Sequence, residues 1–432
     1  MRTAVGLDFG TTNSAIAIAT PDSPPVLATF HVGDYLTTTF RSILYFNPES
    51  RGPEGKPGAV AGPAAIASYL TAETSGRLIQ SMKSHLASRL FQQTNIFGRM
   101  YTLEELIALI IREIRAGAEA QFGGLGACVV VGRPVHFSGA RSVDEDGFAL
   151  MRLRAALEQG GFEHVVFEYE PVAAAYDFEN RLNHDELILI ADFGGGTSDF
   201  SLMHVGPTVR RRGHAASDIL GTEGVPIAGD AFDCKIVRGL IAPRLGRGSS
   251  YRSPFNKVLP VPSWLYTHLE RWHHLSFLKS RKTMQLLEEL RLRAFEPEKI
   301  DTLIHLIDHD LGYHLYRAVE HTKMQLSEKD ESRLVFHDGA LAIEEAVTRC
   351  QFEDWIADEL RAIAACIDRL LERTGVSASD VGSVFITGGS SFVPAVRQLF
   401  EERFGAARIR SGGELTSVAR GLALRALDRE PT

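Results

Sequence analysis

Cysteine is scarce. Cys128, Cys234, Cys350 and Cys366 are the only four in 432 residues, and none forms a CxxC pair. This excludes a CxxC redox or metal motif. Cys128 and Cys234 lie in apolar strand or helix contexts and read as buried free thiols, which suits a reducing compartment. No apolar run approaches about 18 residues, so no transmembrane helix and no membrane partner are expected. No signal peptide precedes the first strand near Thr3, and the expected location is cytoplasmic. Basic charge is short as well: 46 Lys and Arg against 54 Asp and Glu leave a net −8. No basic face is implied, which argues against a nucleic-acid partner. The commonest phosphate signature, GxxxxGK(S/T), does not occur. Gly123-Gly124-Leu125-Gly126 follows a helix and precedes a strand, so it is no dinucleotide fingerprint. What remains is an ordinary globular balance, 44% hydrophobic and 23% charged, long enough for two to four domains by size.

Two stretches carry the chemistry. Ala4 to Leu7 reads as a buried strand ending on Asp8. Phe9-Gly10-Thr11-Thr12-Asn13-Ser14 follows, then the apolar run Ala15 to Ala19. This is a β-hairpin with a small, donor-rich turn. Gly10 admits a ligand close to the backbone, amides and threonine hydroxyls make an anion site, and Asp8 can hold a divalent cation directly or through water. The same grammar returns at Leu189 to Asp199: apolar strand, Asp192-Phe193-Gly194-Gly195-Gly196, Thr197-Ser198-Asp199, then Phe200 to Met203. Singly, each is only a Gly-rich turn. Occurring twice, 192 − 8 = 184 residues apart, they suggest two like lobes clamping one nucleotide. A third turn, Thr387-Gly388-Gly389-Ser390, lies at a strand end before a helix near Pro394. α/β folds bind ligands at such places, and glycines there let a base or ribose lie on the backbone.

Between these turns the chain alternates strand and helix. Val26 to Phe30 is a third strand. Tyr35 to Phe40 and Ser42 to Phe46 are strand-like, Pro48 to Gly62 is a Pro/Gly loop, Ala64 to Tyr69 is helical, and Leu78 to Leu90 is helical or mixed. Leu103 to Phe122 places Leu106, Ile107, Ile110, Ile111 and Ile114 on one helical face. Ala127 to Val131 is a strand, Phe148 to Gln159 a helix ended by Gly160-Gly161, and Val165 to Tyr169 a strand leading into a helix at Glu170-Pro171. Gly246 to Pro262 reads as a loop. Trp264 to Arg293 reads as helix, with bulk from Trp264, Tyr266, Trp272, Phe277 and Leu278 as a small core or a partner surface. Ile300 to Leu326 continues as helix, where His305, Asp308 and His309, with His314 beyond, read as a solvated face, the alternative being a metal site. Phe352 to Thr374 is one long amphipathic helix. Val384 to Thr387 is a strand, and helices follow at Pro394 to Phe404 and Val418 to Leu427.

In this order, two phosphate hairpins, a carboxylate at a helix start and a Gly-Gly-Ser turn resemble the actin-like ATPase superfamily. The wording is similar to its heat shock protein 70 chaperone branch. It runs through Leu7 to Ser14, Tyr169 to Ala175, Asp192 to Asp199, Gly229-Asp230-Ala231-Phe232-Asp233, Glu320 to Ser327 and Gly388 to Pro394. The resemblance spans nearly the whole chain and is nearest to the short, stand-alone YegD-type branch. It implies an α/β fold of duplicated ribonuclease H-like lobes with a nucleotide cleft. Lobe I would hold residues 1–184, with a subdomain insertion at about 29–101 and the C-terminal helix 408–432. Lobe II would hold 185–407, with a subdomain at about 228–344 and an enlarged insertion at 243–319.

The resemblance also implies roles. Asp8, Asp192 and Asp199 surround a hydrated Mg2+ and the attacking water, with Asp8 and Asp192 holding the metal through water. Glu170 helps hold that shell, and Lys83 stabilises charge on the γ-phosphate. Gly10, Thr11, Thr12, Asn13, Gly194, Gly195, Gly196 and Thr197 cradle the phosphates of ATP or ADP. Glu320, Lys323, Met324, Ser327, Gly388, Gly389, Ser390 and Phe392 face the nucleoside. The chain departs from the family in places. Met324 and Phe392 stand where the family has adenine-stacking arginines, and Leu415 replaces an acidic residue, with Glu414 beside it. The chain ends at Thr432, so no peptide-binding part is expected. The expectation is a monomeric, slow, Mg2+-dependent ATPase of chaperone type that switches interlobe angle for a protein partner. A polymerising scaffold and a small-molecule kinase or phosphohydrolase of the same superfamily are the alternatives. A protein-kinase reading of Asp-Phe-Gly fails, because no His-Arg-Asp loop or Val-Ala-Ile-Lys strand accompanies it.

Overall fold

The computed structural model describes residues 3–33, 35–51, 57–72, 76–270, 275–339, 341–412 and 416–428. Glu414, Leu415 and Trp272 lie outside them.

Two mixed sheets are built on one plan. In the first, Ala4–Asp8 runs antiparallel to Asn13–Thr20, with Asp8 opposite Ala15. Ser23–Leu27 continues the meander, and Cys128–Arg133 and His164–Tyr169 add in parallel on the other side. In the second, Glu186–Phe193 runs antiparallel to Ser198–Val205, with Asp192 opposite Asp199. Ile219–Val225 continues that meander, and Ser383–Thr387 and Ile409–Ser411 add in parallel. Numbered by chain order within each sheet, both run 3-2-1-4-5 across. The repeat seen in the turns is thus a repeat of whole sheets.

The described chain falls into two compact units, Met1–Ala228 with Ala362–Ser391 and Val396–Thr432, and Gly229–Arg361 with Phe392–Ala395. Both sheets belong to the first. Helix Leu103–Phe122 begins on a capping box, Thr102 accepting from Glu105 N and Glu105 accepting from Thr102 N, and ends at left-handed Gly123. Its apolar face joins Leu7, Ile16, Val131 and Leu153 in one core. Helix Glu170–Glu179 has every residue buried, and each of its carboxylates, Glu170, Asp177 and Glu179, has a hydrogen-bond partner. The C-terminal helix Ser417–Asp428 crosses it so closely that a Cβ at Gly421 would stand 1.6 Å from Ala173 O.

In the second unit, Gly229–Ile236 runs into a π-turn at Val237–Ile241. Helices Arg281–Arg293, Pro297–Asp308 and Gly312–Glu328 follow. The hairpin Glu331–Asp338 with Leu341–Thr348 alternates buried and exposed residues. That period of two was legible in the sequence, yet the sequence reading assigns no element there.

Several expectations are corrected. The described residues of Pro48 to Gly62 are not loop: Ile43–Arg51 pairs with Pro57–Ala61, and helix Gly62–Thr71 starts at once. Gly246 to Pro262 contains a hairpin, Ser250–Arg252 with Val258–Pro260. The third strand is Ser23–Leu27, earlier than Val26 to Phe30. Helix breaks interrupt the long helical runs. Ser280 caps a restart by accepting from Thr283 N, Asp310 turns left-handed at φ 54°, and Ile356 separates Arg349–Trp355 from Ala357–Thr374. Cys128 is exposed and Cys234 only half-buried; Cys366 is the buried thiol, pushed up to about 12 chiefly by burial. No helix among the described residues is long and apolar enough to cross a membrane.

Candidate functional site

The two hairpin turns meet in the first unit. A Cβ at Gly10 would stand 2.0 Å from Asn13 O, so only glycine closes that turn. Gly10 N donates to Ser14 Oγ at 3.2 Å, and Ser14 Oγ bonds Ser42 Oγ at 2.8 Å. In the second turn Gly194 N donates to Thr197 O at 2.9 Å. A Cβ on Gly196 would meet Thr11 Oγ1 at 3.5 Å and Ser84 Oγ at 3.6 Å, which places the first threonine against the second glycine run. Thr12 Oγ1 is buried without a hydrogen-bond partner, an orphan that a phosphate oxygen would satisfy. Asn13 is partly engaged, its Oδ1 accepting from Arg41 at 3.3 Å.

Around these turns stand Asp8, Glu170, Asp192 and Asp199 with one lysine. Lys83 comes from the short 3₁₀ turn Met82–His85, entered through left-handed Ser81. Its Nζ donates to Glu170 Oε1 at 2.6 Å, with both side chains buried. Glu170 opens its helix, where the positive end favours a carboxylate. Asp199 Oδ1 accepts from Val135 N at 2.7 Å. Burial, then Glu170, raises Asp8 to about 7 against the partial relief of Lys83. Burial and Glu170 likewise raise Asp199 to about 7, although Thr197 and Val135 N oppose this. Burial, with Glu170, Asp8 and Asp199, holds Asp192 well above the ordinary carboxylate range. Burial works against the Lys83 ammonium, but Glu170 and Asp8 outweigh it and keep its pKa above the ordinary lysine value.

Four carboxylates around one ammonium cannot all ionise without a buried excess of negative charge, which is why Asp8, Asp192 and Asp199 are held up; a cation would let them ionise together. The donors are hard oxygens, which suit Mg2+. Among the described residues no three His, Cys, Asp or Glu side chains form a cage for a metal. An ion that keeps most of its water, touched by Asp8 and Asp192, fits this donor set. His305 is partnered instead, to Asp338 at 3.0 Å, and stacks on His309 at 4.1 Å.

The third turn is rigid. Gly388 has φ +86°, and a Cβ there would run into Phe193 O at 2.0 Å. Ser391 Oγ donates back to Gly388 O at 2.6 Å, Ser390 is buried, and Thr387 Oγ1 bonds Ser417 Oγ at 2.8 Å. In the second unit Lys323 Nζ is held by Asp233 at 2.7 Å. Burial lifts Asp233 to about 6 even so. Ser327 Oγ donates to Lys323 O at 3.1 Å. Met324 and Phe392 are 61% and 56% exposed. Sequence reasoning passed over three residues. Ser84 and Ser138 border Gly196, and adjacency to Lys83 was the only signal for Ser84. Asp233 lay within a quoted motif but was given no role.

A sequence profile described as Hsp70 protein matches residues 4–243 and 294–428. The chaperone protein DnaK of Deinococcus radiodurans is 26% identical over 439 residues, covering 99% of this chain and 59% of DnaK. The chain thus spans less than two thirds of that relative's length. The matched segments contain both glycine hairpins, Lys83, Glu170 and the Gly388 turn. The chain belongs to the Hsp70 family, with its actin-like ATPase fold.

Proposed function

We propose that this chain is a Mg2+-dependent ATPase of the Hsp70 chaperone type, with slow intrinsic turnover. The observation that supports it best is the group of buried Glu170, Asp192 and Asp199 with half-buried Asp8 around Lys83, set against the two glycine turns. Phosphoryl transfer asks a protein chiefly for positioning and charge neutralisation. In this reading Gly10, Thr11, Thr12, Gly195, Gly196 and Thr197 hold the phosphates. Magnesium, carried by Asp8 and Asp192 through water, would offset the charge of the phosphate oxygens. Lys83, oriented by Glu170, offers its ammonium to the γ-phosphate. Asp199, pinned by the Val135 amide, orients the attacking water. Met324 and Phe392 take the base in place of the family's arginines. The proposed partner or client is a protein, in keeping with the chaperone relative.

Phosphate release measured with Mg2+ and with EDTA tests the reading. Lys83→Ala should lower kcat by about 100-fold or more while ATP affinity, measured by calorimetry, changes only a few-fold. Turnover by Lys83→Ala at the wild-type rate would remove the assignment. Transfer of phosphate to a metabolite, with little free phosphate, would favour a kinase instead.

A further inference from the structure

Residues 244–293 fall outside the matched Hsp70 segments, and they build a structure of their own. The hairpin Ser250–Arg252 with Val258–Pro260 is stitched to the end of helix Arg281–Arg293. Tyr251 bridges Ala294, and Phe295 N donates to Ser250 O at 3.0 Å. Between the hairpin turn and the helix end lies an open groove of about 610 Å³, lined by Arg252, Pro254, Asn256, Leu292, Arg293 and Phe295 among others.

Two properties set this groove apart from ordinary surface. Apolar side chains stand exposed along it: Leu292 and Phe295 are 78% and 53% exposed, and Phe255 and Val258 of the neighbouring hairpin are 86% and 57% exposed. Single exposed apolar side chains are normal, but a cluster of them marks an interaction site. It is also basic. The chain carries a net −8, yet the lining has two arginines and no carboxylate. Arg252 donates to Asn256 Oδ1 at 2.8 Å and lies over the Phe295 ring at 5.6 Å; neither contact neutralises it. Neighbouring Arg291 is paired with Glu288 and Asp301, whereas among the described residues no carboxylate pairs with Arg252, Lys257 or Arg293.

We propose that this groove docks an extended segment of a partner protein in which apolar side chains stand next to carboxylates. Leucine or phenylalanine side chains would enter the concavity against Leu292 and Phe295. The segment's carboxylates would meet the guanidinium forks, which suit bidentate pairing. Stacking on Phe295 already orients Arg252, so little freedom is lost on binding. The chain's net −8 opposes approach to an anionic bilayer, which favours a short polypeptide segment that can reach the two arginines alone. None of these residues is assigned to nucleotide, so the inference stands apart from the ATPase reading.

The test is selection of random peptides displayed on phage, with the full chain as bait, against Arg252→Glu/Arg293→Glu and Phe295→Ser variants. All three positions are solvent-facing, and unchanged ATP turnover and melting temperature certify the fold of each variant. The expected result is enrichment of Asp or Glu beside Leu or Phe. The best synthetic peptide should bind at micromolar concentration by fluorescence anisotropy and lose at least about tenfold in both variants. No enrichment, or peptides that bind the variants equally well, would overturn the proposal. Two other results would also overturn it. One is binding to phosphatidylserine vesicles that charge reversal abolishes, without peptide enrichment. The other is dimerisation of the chain that Phe295→Ser abolishes.

Discussion

Asp192 lies among like charges: Glu170, Asp8 and Asp199 all disfavour its ionised form, and Lys83 relieves it only in part. Removing that carboxylate should therefore help the metal-free fold while harming ligand binding, the usual conflict at a functional site. Asp192→Asn is expected to stabilise the protein in EDTA by about 0.5–2 kcal/mol and to weaken Mg2+-dependent ATP binding. Denaturant melts with and without chelator check this. A loss of stability in EDTA would mean that Asp192 makes a favourable contact there and that the charge excess is not what burdens the site. Phe392 presents the other residue-scale prediction. An exposed phenyl group can stack on a base, worth roughly 1–3 kcal/mol judged by alanine substitution. Phe392→Ala should then weaken ATP by roughly 5- to 150-fold with kcat at saturation nearly unchanged. Equal affinities by calorimetry would remove Phe392 from the nucleoside site.

At the scale of elements, helix Glu170–Glu179 joins chemistry at one end to a latch at the other. Glu170 at its start holds Lys83. Glu179 at its end accepts from Gly206 N at 2.8 Å and pairs with His214 at 2.8 Å. His214 also faces Asp428 of the C-terminal helix at 3.5 Å and meets Tyr176 edge-on at 4.3 Å. Burial opposes the imidazolium, but Asp428 and Glu179 outweigh it and raise His214 to about 9. The folded pKa lies above the unfolded value of 6.5, so the latch contributes fully below pH 6.5 and is lost as pH rises through about 9. A shift of that size corresponds to at most about 3 kcal/mol. Urea melts across this window should show stability falling, and His214→Asn should flatten the profile. A wild-type profile as flat as the variant's would mean the imidazole stays neutral.

For the whole molecule, nucleotide and metal should act on stability together. Asp8, Lys83, Glu170, Asp192 and Asp199 come from widely separated stretches of the first unit, so a ligand that neutralises them ties those stretches together. A ligand that binds only the folded state stabilises it by about 2.7 kcal/mol at 100 times its Kd. ADP with Mg2+ should raise the melting temperature of the full chain by several degrees, and EDTA should remove most of the gain. An equal rise with and without metal would show that the carboxylates play no part in holding the nucleotide.

The glycine hairpins were legible because turn chemistry is local. Gly10 and Gly194 sit in tight turns between continuous apolar strands, and both the pairing and the donor-rich polarity of the turns follow from a dozen adjacent residues. Helix Leu103–Phe122 was legible for the same reason, since its face, cap and terminating glycine all lie within its own sequence. Lys83 was reached only through family resemblance, because its flanks carry no turn or periodicity signal. What makes it special is Glu170, 87 residues away. Tertiary structure alone decided that four carboxylates share one ammonium, that Asp8 and Asp199 are held near 7, and that Cys128 faces solvent while Cys366 does not. It also closed the hairpin of the inserted stretch against Ala294, so that Arg252, Arg293 and Phe295 line one groove. Burial, charge coupling and register between distant segments depend on which surfaces meet when the chain collapses, and no window of neighbouring residues contains that information.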